Sequence, residues 1–163
     1  MKIFVSFQKQ RGFGLVEMLI GAAVLSTSLL GISSFFQKTL EVSSLTQSAV
    51  QGDYLLEEGV EVVKLFRDAG YANNIVKLST TTPTYLAWDG TNWATSTINV
   101  FIGGKFERKI TVSEVKRNVS EDISDTGILD PNTRLVAVSV AWNVKGATTT
   151  KTIQTYITNI FNN

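Results

Sequence analysis

From Met18 to Phe36 the chain carries no charged residue and no proline. As a helix this stretch is roughly 28 Å long at ~1.5 Å per residue, close to the hydrocarbon thickness of a bilayer. Beyond it, from Gln37 to about Asp68, the pattern turns amphipathic. Val42, Leu45, Ala49, Gly52, Leu56, Val60, Val63 and Phe66 recur at threes and fours, the spacing of one helix face. No proline interrupts residues 13–82, and Gly70 follows Arg67 and Asp68 where a helix C-cap is expected. The two patterns predict one helix of roughly 55 residues, apolar all round in its first half and one-sided in its second. Gly21, Gly31, Ser33 and Ser34 are small enough to let neighbouring helices approach or to let this one bend. Gly52 and Gly59 offer the same close approach to whatever packs on the second half.

The C-terminal part alternates with period two. Phe106, Arg108, Ile110 and Val112 share one face, and Glu107, Lys109, Thr111 and Ser113 the other. From Arg134 to Val144, Val136, Val138, Val140 and Trp142 share the face expected to meet the helix. Lys145-Gly146 reads as a turn, and Thr150 to Ile160 alternates again. Three such strands joined by turns predict an antiparallel meander. Before them, Tyr85-Leu86-Ala87-Trp88, then Asp89-Gly90, then Thr91-Asn92-Trp93 predicts a tight hairpin. Residues 116–133 read as a loop. The expected fold is therefore α+β: a long N-terminal helix packed on a C-terminal antiparallel β-meander.

Composition narrows the chemistry. The net charge is +1, which gives no reason to expect a nucleic-acid partner. Cysteine and histidine are both absent, so disulfides, thiolate zinc sites and cysteine or histidine catalysis are excluded. No cofactor is implied. Lys2, Lys9 and Arg11 precede the apolar run with no acid among them, which keeps the N-terminus cytoplasmic and places everything after Phe36 outside. A cleaved secretory signal competes with this reading, since Gly31 and Ser33 are small residues placed for a cut before Ser34. Glu17 argues against it. A lone carboxylate at the edge of an apolar span costs roughly 2.5–3.5 kcal/mol near a membrane centre and less near the surface, and such an acid is a functional candidate.

The stretch Gly12-Phe13-Gly14-Leu15-Val16-Glu17, with its basic leader and the apolar run behind it, resembles the prepilin signature of type IV pilins and type II secretion pseudopilins. The resemblance implies cleavage by a prepilin peptidase between Gly12 and Phe13, methylation of the new Phe13 amine, and Glu17 as fifth mature residue. Gly14 stands where that family often has threonine. The amine on Phe13 and the Glu17 carboxylate would lie on one helix face. Two charges in low dielectric need a partner, so the amine of one subunit pairing with Glu17 of a neighbour would set the register of assembly. An ordinary membrane anchor is the alternative. The helix-kinking proline common in major pilins is missing, and with no cysteine the C-terminal disulfide loop of many members cannot form.

The head is similar to that of PilV-type minor pilins. The matching runs are Phe106-Glu107-Arg108-Lys109-Ile110-Thr111-Val112, Val136 to Trp142, and Thr155-Tyr156-Ile157-Thr158. Together the resemblances imply a structural minor subunit of a type IV pilus, not an enzyme. Its partners would be other pilin subunits, a prepilin peptidase and a membrane assembly platform. The chain divides into a leader (1–12), a membrane and assembly half of the helix (13–36), an amphipathic half (37–69) and a β-rich head (70–163). It would cross the membrane once and end in an extracellular filament. The rivals are a minor pseudopilin of a type II secretion or DNA-uptake machine, which uses the same assembly physics, and a membrane-tethered binding module. For the last, the Trp88–Trp93 hairpin and an oxygen-rich loop with Asp122, Asp125 and Asp130 are the candidate sites. The loop is a weak calcium candidate, as its spacing is not that of an EF-hand. Asp53, Glu57, Glu58 and Glu61 form an acidic patch, read as a solvated face or as a contact surface.

Overall fold

The computed structural model describes residues 14–161, which fall into two compact units divided between Ser44 and Leu45. One helix, α1 (Leu15–Asn74), spans 60 residues with a kink at Gly70, and its part before the kink is the long helix the pattern predicts. In the first unit it is the sole element, and every large apolar side chain from Leu15 to Phe36 is exposed. Among the described residues it is the helix long and apolar enough to cross a membrane.

In the second unit α1 packs on a six-stranded antiparallel sheet ordered β2-β1-β3-β5-β6, with β4 paired to β3. The strands are β1 (Thr84–Trp88), β2 (Trp93–Ser96), β3 (Glu107–Arg117), β4 (Ile123–Ser124), β5 (Ile128–Val144) and β6 (Ala147–Thr158). The expected meander is β3-β5-β6, and the expected hairpin is β1-β2, with Trp88 opposite Trp93. Lys145 and Gly146 turn β5 into β6 with positive φ at both (53° and 85°), the pattern of a two-residue hairpin whose twist suits the strands.

The helix-facing side of β5 is as the alternation predicts: Val136, Val138, Val140 and Trp142 are all buried. They pack with Leu56, Val62 and Val63 of α1 and with Ile110 and Val112 of β3. Fully burying such a side chain is worth roughly 1.5–3 kcal/mol, so this one layer dominates the unit's stability. Gly52 and Gly59 let the helix come this close. A Cβ at Gly52 would lie 2.7 Å from the Trp142 ring, and one at Gly59 2.6 Å from Val138 Cγ1.

Two expectations need correction, and one is met with an addition. The apolar stripe of α1 is exposed at Val42 and Leu45; burial starts at Ser48, whose Oγ accepts from Lys105 Nζ at 2.6 Å. Gly70 closes the continuous run of helical backbone, as its C-cap position predicts, but the chain does not leave the helix axis for good. Its backbone (φ 146°, ψ 98°) breaks the ladder, one more turn follows, and the break drives Tyr71 and Ile75 into the core. The carbonyl of Phe66 that the break would leave free accepts from Asn74 Nδ2 at 3.1 Å. Finally, residues 116–133 are not a plain loop. β3 runs to Arg117, β4 lies within the segment, and β5 begins at Ile128. Glu114 pairs with Arg134 but Val115 with Asp130, so Pro131, Asn132 and Thr133 bulge out of that pairing. A bulge is where a strand tolerates proline.

Candidate functional site

The N-terminal end of α1 is built around Glu17. Gly14 occupies the N-cap position, and its N–H donates to Glu17 Oε2 at 2.7 Å, while its carbonyl accepts from Met18 N at 3.2 Å. This is one half of a capping box, in which the third helical residue reaches back to the cap. The other half needs a side-chain hydroxyl on the cap, and glycine has none. The carboxylate also sits at the positive end of the helix dipole. Gly12 and Phe13, the expected processing residues, lie outside the described residues.

The side chains from Met18 to Phe36 leave this stretch of the helix uncharged and largely apolar on all sides. Its hydroxyls are turned inward: Ser26 Oγ donates to the Ala22 carbonyl at 2.8 Å, Thr27 to Ala23 at 3.1 Å, Ser28 to Val24 at 2.8 Å and Ser34 to Leu30 at 2.9 Å. Each hydroxyl is thus satisfied within its own helix, as hydroxyls in hydrocarbon must be. Gly21 and Gly31 have nothing within 4 Å of where a Cβ would stand. The surface is that of a helix made to be covered by lipid or by other helices.

The second unit holds a cleft of about 520 Å³ between α1 and the β1-β2 hairpin, lined by Glu58, Leu86, Trp88, Trp93, Phe101 and Arg108 among others. Arg108 lies on the inward face of β3, as its parity predicts, and is 2% exposed. Its Nη1 donates to Glu58 Oε2 and to the Leu55 carbonyl, and its guanidinium lies 5.0 Å from the Trp93 ring centre. Its Nε has no partner. Trp88 and Trp93 pack on each other at 5.2 Å, as expected for the hairpin. Sequence reasoning missed that Glu58 and Arg108 meet. The available signal was a charged residue on a buried parity, which demands a carboxylate on the element above it.

The acidic patch is not one surface. Glu58 goes to Arg108, Asp53 to Lys151 Nζ (2.7 Å) on β6, and Glu61 to Lys64 (2.6 Å). The three loop aspartates do not converge either. Asp130 accepts from Arg117 Nε at 2.7 Å and from the Asn132 N–H at 2.8 Å. Burial works against its ionised form, but hydrogen bonds from Thr133, Arg117 and Asn132 outweigh it and hold its pKa below the usual aspartate value. Among the described residues no three acidic side chains gather as a cation site would require.

No curated protein and no solved structure matches the chain. Residues 7–33 match the family model of the prokaryotic N-terminal methylation motif, which spans the same glycine–phenylalanine junction, Glu17 and apolar run that carry the resemblance. That motif, on a long apolar helix that continues onto an antiparallel sheet, is typical of type IV pilin and pseudopilin precursors.

Proposed function

We infer that the chain is a minor prepilin, of the PilV type, that serves as a structural subunit and catalyses no reaction. Residues 1–12 are the leader, 13–36 the membrane and assembly half of the helix, 37–69 its amphipathic half, and 70–163 the head. The prepilin peptidase cuts between Gly12 and Phe13 and methylates the Phe13 amine. The subunit waits in the membrane with its N-terminus cytoplasmic and its head outside, and an assembly platform moves it into the filament. The observation that carries this reading is the methylation motif on a helix whose large apolar side chains from Leu15 to Phe36 are exposed and whose Ser26, Thr27, Ser28 and Ser34 hydroxyls are turned onto its own backbone. Such a surface gains by close packing against neighbouring helices, since lipid already shields it from water and the gain comes from side-chain contact.

Glu17 has two tasks in this scheme. Within the subunit one of its oxygens holds the Gly14 N–H. A carboxylate can accept several hydrogen bonds, so the same group stays able to receive the Phe13 amine of a neighbour and fix the register of assembly.

The test is the mature N-terminus, read by mass spectrometry on the membrane-bound and filament pools. The expected chain begins at methylated Phe13. A chain beginning at Ser34 would mark a secretory signal and end the reading. In the same experiment Glu17→Val should be cleaved and stable but on the order of tenfold depleted from sheared filaments, the loss of one desolvated ion pair. Incorporation at the wild-type level would remove the register role.

A further inference from the structure

The cleft beside the β1-β2 hairpin has no role in assembly through the helix, and its lining is unusual for a packing defect. Its floor is Leu86, its walls include the exposed faces of Trp88 (53% exposed) and Phe101 (57% exposed), and the Arg108–Glu58 pair crosses it. We propose that this cleft is a binding site for a neutral, hydroxylated ring, a pyranose unit of a glycan, stacked on Trp88 and hydrogen-bonded to Glu58.

Volume, charge and polarity each restrict the occupant. At about 520 Å³ the cleft falls in the ~300–1,000 Å³ range of small-molecule sites. The one cation and the one carboxylate cancel: Arg108 Nη1 is committed to Glu58 and to the Leu55 carbonyl, so neither charge is free to select an ion of opposite sign. A purely apolar occupant would strip water from the Glu58 carboxylate, whose side chain is 47% exposed, and replace it with nothing. A sugar hydroxyl donates to that carboxylate instead, while the C–H face of the ring covers an indole. The face of Trp93 is already covered by the guanidinium, which leaves Trp88 as the platform. All these residues belong to the second unit, so the proposal does not rest on the filament reading.

The experiment uses the full chain in detergent micelles against a printed array of mono- and oligosaccharides, followed by tryptophan-fluorescence titration with the best free saccharide. Binding of a neutral glycan is expected, weakened on the order of tenfold or more by Trp88→Ala and retained by Trp88→Phe, which keeps an aromatic face. Trp88→Phe keeps a ring against Trp93 and should hold the melting temperature, whereas Trp88→Ala loses the contact with Trp93 and should lower it slightly, so binding is compared well below both transitions. Phe101→Ala, at another exposed wall, should weaken binding less. Three results would overturn the proposal: no glycan bound at millimolar concentration, binding that survives Trp88→Ala, or preference for acidic over neutral glycans. If Trp88→Ala lost its place in filaments while the wild type bound no glycan, the cleft would be a subunit contact, and the proposal would fail while the filament reading stood.

Discussion

The two units of this chain share one helix and treat it in opposite ways. Up to Ser44 its apolar side chains face outward on every side and nothing in the described chain covers them. From Ser48 onward one stripe is buried under a sheet so closely that two glycines are needed where helix and sheet touch. The first half is complete only with its surroundings, whereas the second carries its own. A helix thus does not announce its environment by propensity; the width of its apolar face does.

The largest effect on the self-contained side is expected at Trp142. It is 4% exposed, packs on Phe106 at 5.7 Å between ring centres and lies against Gly52. Trp142→Ala should cost about 3–5 kcal/mol in urea unfolding. Trp142→Phe should cost clearly less, because it also removes a buried indole N–H that has no partner. An unchanged midpoint for Trp142→Ala would mean that the sheet buries its other face.

A sharper comparison substitutes the same residue in both halves of the helix. Gly52→Ala and Gly59→Ala each gain about 1 kcal/mol of helix propensity. They also drive a methyl into Trp142 or Val138, and overpacking costs about 1–3 kcal/mol. A net loss of up to about 2 kcal/mol is expected, with Gly59 the worse because its methyl would meet the short, stiff Val138 side chain at 2.6 Å and Arg108 Cδ at 3.3 Å, whereas Gly52 meets only the outer edge of the Trp142 ring. Gly21→Ala and Gly31→Ala meet no atom, and should leave the unfolding midpoint of the sheet unit unchanged. Equal behaviour at all four positions would erase the distinction between the halves.

The smallest expected effect tests the closing end of the sheet. Asp130 has a pKa below its usual value, so its contribution is complete above about pH 4 and disappears as pH falls through the depressed folded value. Asp130→Asn should lose about 1–2 kcal/mol at pH 7, where the charged hydrogen bond from Arg117 Nε is weakened to one with a neutral amide. Its urea midpoint should then fall less than the wild type's between pH 7 and pH 3. Parallel acid limbs would show that Asp130 is not the responsible group.

How far the sequence carried this picture varies with the kind of interaction. Period-two alternation placed Val136, Val138, Val140 and Trp142 on the buried face, because burial follows directly from side-chain direction. The Trp88–Trp93 hairpin was legible from its turn residues. The Glu58–Arg108 pair was not, since it joins residues fifty apart and depends on the rotation of helix over sheet. Pro131 and its polar neighbours concealed the first part of β5, because a bulge and a loop use the same residues. The Phe13 amine lies beyond the described residues, whereas the hydrogen bond from Gly14 to Glu17 is a local consequence of position within the helix.

The inward-turned hydroxyls of Ser26, Thr27, Ser28 and Ser34 carry one more consequence. Hydroxyls already committed to their own helix give these four positions no preferred partner among their surroundings, and leave selectivity to Glu17 and to side-chain shape. The helix can turn about its axis, or exchange lipid for protein, without breaking a hydrogen bond at any of them. At these four positions the barrier to changing environment is then set by side-chain packing and not by hydrogen bonds that must first be broken.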